Sequence, residues 1–197
     1  GDKNLEREGI PGSRIHRVGN VMIDSLVRLL PAAMDKKWNG LPERYVLVTL
    51  HRPANVDDDR TLKVILVYLL EVNSQLKVVF PGHPRTRRRI ADFGIDVNQL
   101  DLRDPLPYIE FLSLQRRATV VVTDSGGIQE ETTYLKVPCL TLRSNTERPV
   151  TVTLGTNILV GQDGATLRAE LTNILAGKQK QSIVPPLWDG HAGQRIA

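Results

Sequence analysis

The chain has 197 residues, of which 24% are charged and 41% hydrophobic, with a formal net charge of +4. That length suffices for one large domain or two small ones, and a domain of this size buries roughly 70% of its unfolded surface, so it needs no covalent staples. The single cysteine, Cys139, excludes an internal disulfide framework and fits a reducing, cytoplasmic compartment; no apolar run approaches the ~18 residues of a membrane helix, and the opening GDKNLERE has no apolar signal core.

In chain order, residues 14–18 (RIHRV) read as a first strand. Ile23, Leu26, Val27 and Leu30 then keep the i, i+3, i+4, i+7 spacing of a helix. Residues 45–50 (YVLVTL) form a continuous apolar run of the kind covered on both faces of a sheet. HRPANVDDD follows it. His51 stands directly at the strand end, Pro53 and Asn55 start a turn, and the Asp57, Asp58, Asp59 cluster offers an N-cap to a helix carrying Leu62, Ile65, Leu66 and Leu69.

Residues 76–80 (LKVVF) are the next strand, and Pro81, Gly82, His83 and Pro84 again put a histidine at a strand's carboxyl end. Metal binding by His51 and His83 lacks the further ligands at fixed spacing that it requires. Pro84 suits the first position of a helix crowded with Arg85, Arg87, Arg88 and Arg89. Aromatics are 5% and none interleave these arginines, so the segment reads as a solvated face and not as a nucleic-acid surface.

Residues 99–102 (QLDL) are a short strand, and Ile109 and Leu112 mark a short helix. Residues 119–123 (TVVVT) lead into TDSGGIQEE, where two glycines sit at a strand-to-helix corner. The Gly-x-Ser-x-Gly pattern of a nucleophilic serine is absent around Ser125. A tight turn and an anion cradle both remain: glycines let a phosphate approach the free N–H groups of a helix start. Asp124 or Ser125 could equally cap the helix. Glu130 and Glu131 suit the helix dipole, and a carboxylate there can also hold ribose hydroxyls. No G-x-G-x-x-G occurs, so no nicotinamide or flavin is implied. Residues 138–142 (PCLTL) place Cys139 in a buried run, and Arg143 and Arg148 follow it with the planar fork that suits phosphate. Residues 157–160 (NILV), a helix on Leu167, Leu171, Ile174 and Leu175, and Gly177 as its stop complete the pattern.

Strands alternating with helices predict an α/β fold with a doubly wound parallel sheet, whose ligands bind beyond the carboxyl ends of the strands. The tail from Val184 leaves that alternation.

LEREGI, GNVMID, TLHRPANVD, FPGHPRT, DPLPYIEFL, TDSGGIQEE, TLRSNTERPVTVTLGTNILVG and DGHAGQRI occur in one order along nearly the whole chain. Together they resemble the non-hydrolysing bacterial UDP-N-acetylglucosamine 2-epimerases, and only the C-terminal lobe of that family. The resemblance implies a GT-B-type enzyme of two Rossmann-like lobes, here represented by the UDP-binding lobe over residues 1–184 and a tail, 185–197, that crosses to an N-terminal lobe. It implies that Ser125, Gly126 and Gly127 seat the diphosphate, Glu131 holds the ribose, Arg148 contacts phosphate, Leu106 and Phe111 flank the uracil, and His51 assists the departing UDP. Arg52 and His83 match a regulatory nucleotide-sugar site, although His51-Arg52-Pro53-Ala54-Asn55 departs from the family's His-Arg-Arg-Glu-Asn. It implies no cofactor, a homodimer when intact, and an epimerisation whose acid–base carboxylates come from the N-terminal lobe. A glycosyltransferase lobe of the same architecture and a hydrolysing 2-epimerase are the alternative readings; a binding module without activity is the third.

Overall fold

A computed structural model describes residues 1–162 and 164–197, Lys3 by its backbone alone. Six strands form one sheet among the described residues: β1 Val46–Thr49, β2 Val78–Pro81, β3 Asp101–Arg103, β4 Val120–Thr123, β5 Cys139–Thr141 and β6 Asn157–Leu159. All pair in parallel in the order β3-β2-β1-β4-β5-β6. The helices are α1 Asp2–Arg7, α2 Val21–Met34, α3 Pro53–Val56, α4 Asp59–Asn73, α5 Pro84–Asp92, α6 Tyr108–Gln115, α7 Gly126–Leu135, α8 Pro149–Thr153, α9 Gly164–Leu175 and α10 Ala192–Ile196.

The apolar strands are continuous because helices cover both faces. Val46, Val48, Phe80, Val120 and Val122 face α4 and α9 through Leu62, Ile65, Leu66, Leu69, Leu167 and Leu171. Tyr45, Leu47, Val79 and Val121 face the opposite way, against Leu114 of α6 and Val137. Beyond α6, Leu112 packs on Leu26 and Ala33 of α2. Side chains alternate sides along each strand, so one-residue register slips would exchange the two cores.

Helix starts follow their local chemistry. Asp58 accepts from the Thr61 N–H at 2.8 Å and caps α4. Pro53 and Pro84 occupy the first positions of α3 and α5, where a missing N–H costs nothing. Gly177, at φ +77°, stops the chain beyond α9. The arginines of α5 are each answered by a carboxylate: Arg85 and Arg89 share Asp57, Arg87 meets Asp104, and Arg88 meets Asp92. Four arginines against three carboxylates leave the face solvated, largely paired and slightly positive.

Residues 14–18 are not a strand. Gly12–Arg14 winds into a 3-10 turn, and β3 and β6 form the sheet's edges. Ile15 and Val18 are only half-buried, and the Val18 carbonyl accepts from Arg195 Nη1 at 3.1 Å. Two apolar residues were too few to hold this segment on a sheet; it runs beside the C-terminal tail instead. The tail itself packs on α2: the Ala192 and Gly193 N–H groups donate to Asp24 at 3.0 and 2.7 Å, and Trp188 and Ala192 are buried. Gly19, at φ +106°, lets it pass, since a Cβ there would lie 2.3 Å from the Leu187 carbonyl oxygen.

Candidate functional site

The strand order runs outward from β1 through β2 to β3 on one side, and from β4 through β5 to β6 on the other. The winding therefore reverses between β1 and β4, where their carboxyl ends open a crevice suited to a ligand. His51 follows β1 at this point, and Asp124 and Ser125 follow β4; Thr49 and Thr123 are register partners.

Asp124 organises this corner. It is completely buried, accepts from the His51 N–H at 3.0 Å, the Arg52 N–H at 2.9 Å and Asn55 Nδ2 at 3.1 Å, and lies 3.0 Å from His51 Nδ1. Burial alone would raise its pKa, but the bonds from the His51 ring, the Arg52 N–H, Asn55 and the His51 N–H outweigh it and hold the carboxyl below its usual range. Asn55 is buried as well; its Nδ2 also reaches the Leu142 carbonyl at 3.0 Å, and its Oδ1 accepts from Gln162. These bonds tie the corners of β1, β4, β5 and β6 together. Asp124 therefore does not cap α7.

Ser125 is the N-cap residue of α7, and its side chain makes no capping bond. Neither Gly126 nor Gly127 has a positive φ. A Cβ on Gly126 would meet nothing within 4 Å, and one on Gly127 only the Met22 methyl at 3.9 Å. The tight-turn explanation of the two glycines thus fails: the backbone does not demand them, and no neighbour crowds them. What they leave is open space before a helix start whose first N–H groups lack intrahelical acceptors. That arrangement attracts an anion.

The second turn of α7 supplies two buried carboxylates. Glu131 accepts from the Tyr108 hydroxyl at 3.0 Å, while its Oε2 has no partner. Burial pushes the Glu131 pKa up; the Tyr108 bond and the nearby Gln115 amide oppose that rise, and the neighbouring Glu130 charge adds to it. Burial and the Glu131 charge push the Tyr108 hydroxyl up as well. Glu130 Oε1 holds Arg148 Nε at 3.0 Å and Asn20 Nδ2 at 2.9 Å. Adjacency of β4 and β5 permits this, so Arg148, beyond β5, lies beside α7 with its side chain about half exposed. Arg143 turns elsewhere and grips Glu147 with both terminal nitrogens, at 2.8 and 2.7 Å. That pair takes the Glu147 pKa down to about 2.

Leu106 and Phe111, at and near the start of α6, are half-buried against the Leu47 and Val121 face. His83 follows β2, and its ring lies 5.6 Å from that of His51, tilted by 40°. His83 Nδ1 accepts from the Arg85 N–H at 3.2 Å and so caps α5. Arg52 offers its backbone to Asp124 and lies 3.8 Å from Glu147 through Nη2. His51 and Arg52, His83, Leu106, Ser125 and Arg148 follow β1, β2, β3, β4 and β5 respectively, Gly126 and Gly127 open α7, Glu131 lies in the second turn of α7, and Phe111 lies inside α6. Tyr108 is added by the structure, while Asp124, Asn55 and Glu130, read from sequence as a cap, a turn residue and a dipole partner, take new bonding roles here. Each is a polar residue that the fold buries or pairs beside those site residues. Among the described residues, no group of three or more His, Cys, Asp or Glu is arranged to hold a metal ion. No helix there is long and apolar enough to cross a membrane. Cys139 is buried, and burial pushes its thiol up to about 11, which leaves it unreactive.

The family model of UDP-N-acetylglucosamine 2-epimerase matches residues 1–197. The UDP-N-acetylglucosamine 2-epimerase of Methanocaldococcus jannaschii is 38% identical over 98% of this chain and 56% of its own length. The UDP-2,3-diacetamido-2,3-dideoxy-D-glucuronate 2-epimerase of Pseudomonas aeruginosa is 36% identical over 98% of this chain and 55% of its own. A crystal structure of the Methanocaldococcus jannaschii UDP-GlcNAc 2-epimerase, in complex with UDP-GlcNAc and UDP, superposes with a TM-score of 0.88 at 38% identity, covering 98% of this chain and 56% of that one. This chain thus spans little more than half the length of the relatives it matches. By full-length match to the family model and by fold, the chain belongs to the UDP-N-acetylglucosamine 2-epimerase family.

Proposed function

We propose that this chain is the UDP-binding lobe of an enzyme that interconverts UDP-N-acetylglucosamine and UDP-N-acetylmannosamine. One observation carries the reading. An uncrowded glycine pair opens α7 at the switch point of the sheet, with Glu131, Arg148 and His51 around the same edge. In this reading the first N–H groups of α7 and the Ser125 hydroxyl hold the diphosphate. Arg148 adds a cation: Glu130 takes Nε and the Glu147 carbonyl lies 3.5 Å from Nη1, so Nη2 is the nitrogen turned to phosphate. Glu131 accepts the ribose hydroxyls, and Leu106 and Phe111 flank the uracil. Arg52 and His83 are assigned to a second, regulatory nucleotide-sugar site beside His51.

The reaction is an elimination followed by re-addition. A base on the N-terminal lobe takes the C2 proton; the C1–O bond breaks and its electron pair stays on the diphosphate. Arg148, protonated His51 and the α7 N–H groups stabilise that growing charge. UDP then returns to C1, and a proton reaches the opposite face of C2. This lobe contributes the leaving-group half alone. The relatives' greater length supports a further lobe, toward which residues 185–197 lead; in this reading the intact enzyme is a cytoplasmic homodimer. The Pseudomonas aeruginosa relative is named for another UDP-sugar and for the same C2 position, so the nucleotide end is the part expected to be common.

Titrating UDP into the 197-residue chain tests the site: the amides of Ser125, Gly126 and Gly127 shift in NMR, and no epimer forms from UDP-N-acetylglucosamine. Unshifted amides, or turnover by this chain alone, would sink the reading. Incubating the full-length protein in D2O then decides the chemistry. The manno epimer labelled at C2 is expected, whereas transfer to an acceptor points to a glycosyltransferase and free N-acetylmannosamine to a hydrolysing enzyme.

A further inference from the structure

The His51 ring can place its neutral-state proton on either nitrogen, and the choice decides which atom faces a ligand as acceptor or donor. The structure constrains that choice through Asp124. Three of the four groups that donate to Asp124 are donors by their own bonding: the His51 and Arg52 N–H groups, and Asn55 Nδ2, whose amide orientation is fixed by its second bond to the Leu142 carbonyl. A carboxylate so surrounded stays ionised and can only accept. The fourth neighbour, His51 Nδ1, lies 3.0 Å from Oδ1 and must therefore carry a hydrogen. Nε2 is then the nitrogen free for substrate, on a side chain that is 39% exposed.

We propose that Asp124 is the positioning residue of His51: it keeps the ring proton on Nδ1 and presents Nε2 to the leaving diphosphate. Neutral His51 offers a lone pair there; protonated His51 offers an N–H to the oxygen that takes the C1–O electrons. Asp124 touches no substrate atom itself. It acts through the ring and through the two backbone N–H groups that fix where the His51 Cα sits. The other charged or titratable groups around this corner are His83 beyond β2, Arg52 on the same loop, and Arg143 and Glu147 beyond β5. His83 cannot take over the role of Asp124, because its own Nδ1 accepts the Arg85 N–H. The proposal rests on the nucleotide reading only for the identity of the ligand; the tautomer does not depend on it.

The test is long-range 15N–1H NMR of the imidazole nitrogens in the 197-residue chain, above the titration of the ring, with His51 assigned from a His51→Gln sample. In the wild type the Nδ1–H form dominates; in Asp124→Asn, whose amide no longer holds a hydrogen there with a full charge, Nε2–H becomes the major form. A wild-type ring protonated on Nε2, or averaging between both forms, overturns the proposal. So does an Asp124→Asn chain that keeps its fold and its Nδ1–H. Should Asp124→Asn fail to fold, the wild-type spectrum still decides. UDP is added to the same wild-type sample: unshifted Ser125–Gly127 amides count against the nucleotide reading alone, while the nitrogen carrying the proton decides this one.

Discussion

Two carboxylates, seven residues apart on one strand-to-helix segment, are tuned in opposite directions, and their replacements should behave oppositely. Glu131 is buried with one oxygen unpartnered, and its pKa is raised. The folded lobe then binds that proton more tightly than the unfolded chain does. Stability therefore falls as pH rises from the ordinary carboxyl range through the raised value. Glu131→Gln removes that loss: the variant melts above the wild type at pH 7 and loses the advantage near pH 4. The same variant binds UDP about tenfold or more weakly, because a charged hydrogen bond is worth ~1.5–3 kcal/mol. Melting curves at the two pH values and a UDP titration check both halves. Asp124 has the reverse sign. Its lowered pKa contributes stability above the ordinary carboxyl range that is lost as pH falls through the folded value. The two could not be told apart in the sequence. Glu131 could be singled out as a candidate ribose ligand from its place in TDSGGIQEE, but the link from Asp124 to His51 spans 73 residues and exists only because β1 and β4 are neighbours.

At the scale of elements, strand and helix signals were legible wherever packing agreed with local pattern. The apolar runs that became β1, β2 and β4 have helices over both faces, and their alternation divides two cores; β3, from the mixed run QLDL, is a half-buried edge. Residues 14–18, with Ile15 and Val18 as their only apolar side chains, had too little to bury, so tertiary context decided against a strand. Sheet order was the missing quantity: it brings Arg148 to Glu130 and frees Arg143 to take Glu147. Caps were legible too, and one can be weighed. Asp58→Ala removes the bond to the Thr61 N–H and should cost about 1 kcal/mol of unfolding free energy. UDP affinity should not change, since α4 starts away from the α7 corner. Chemical denaturation with a parallel UDP titration measures this; a loss of affinity would show that α4 and the site move together.

For the molecule as a whole, the C-terminal tail is held by a few identifiable contacts. Asp24 on α2 takes the two N–H groups at the start of α10, and Arg195 pairs with Asp189. The chain crosses Gly19 where no side chain fits. Gly19→Ala imposes both a clash with the Leu187 carbonyl and a strained positive φ, so the tail should lift while the sheet remains intact. Hydrogen exchange should quicken selectively over residues 187–196, with little change in β1 and β4. Uniform quickening would mean that the tail and the sheet unfold as one unit.

Gly126 and Gly127 also bear on how stable the lobe could have been. Both open α7 with room for a methyl group, and alanine is favoured over glycine by up to about 1 kcal/mol in a helix interior and by less at these first positions. Folding alone would therefore select against them. Against a typical domain stability of roughly 5–15 kcal/mol, the pair is a standing handicap that only an incoming ligand can repay. The least stabilising residues of α7 thus mark where this lobe gives up firmness for affinity.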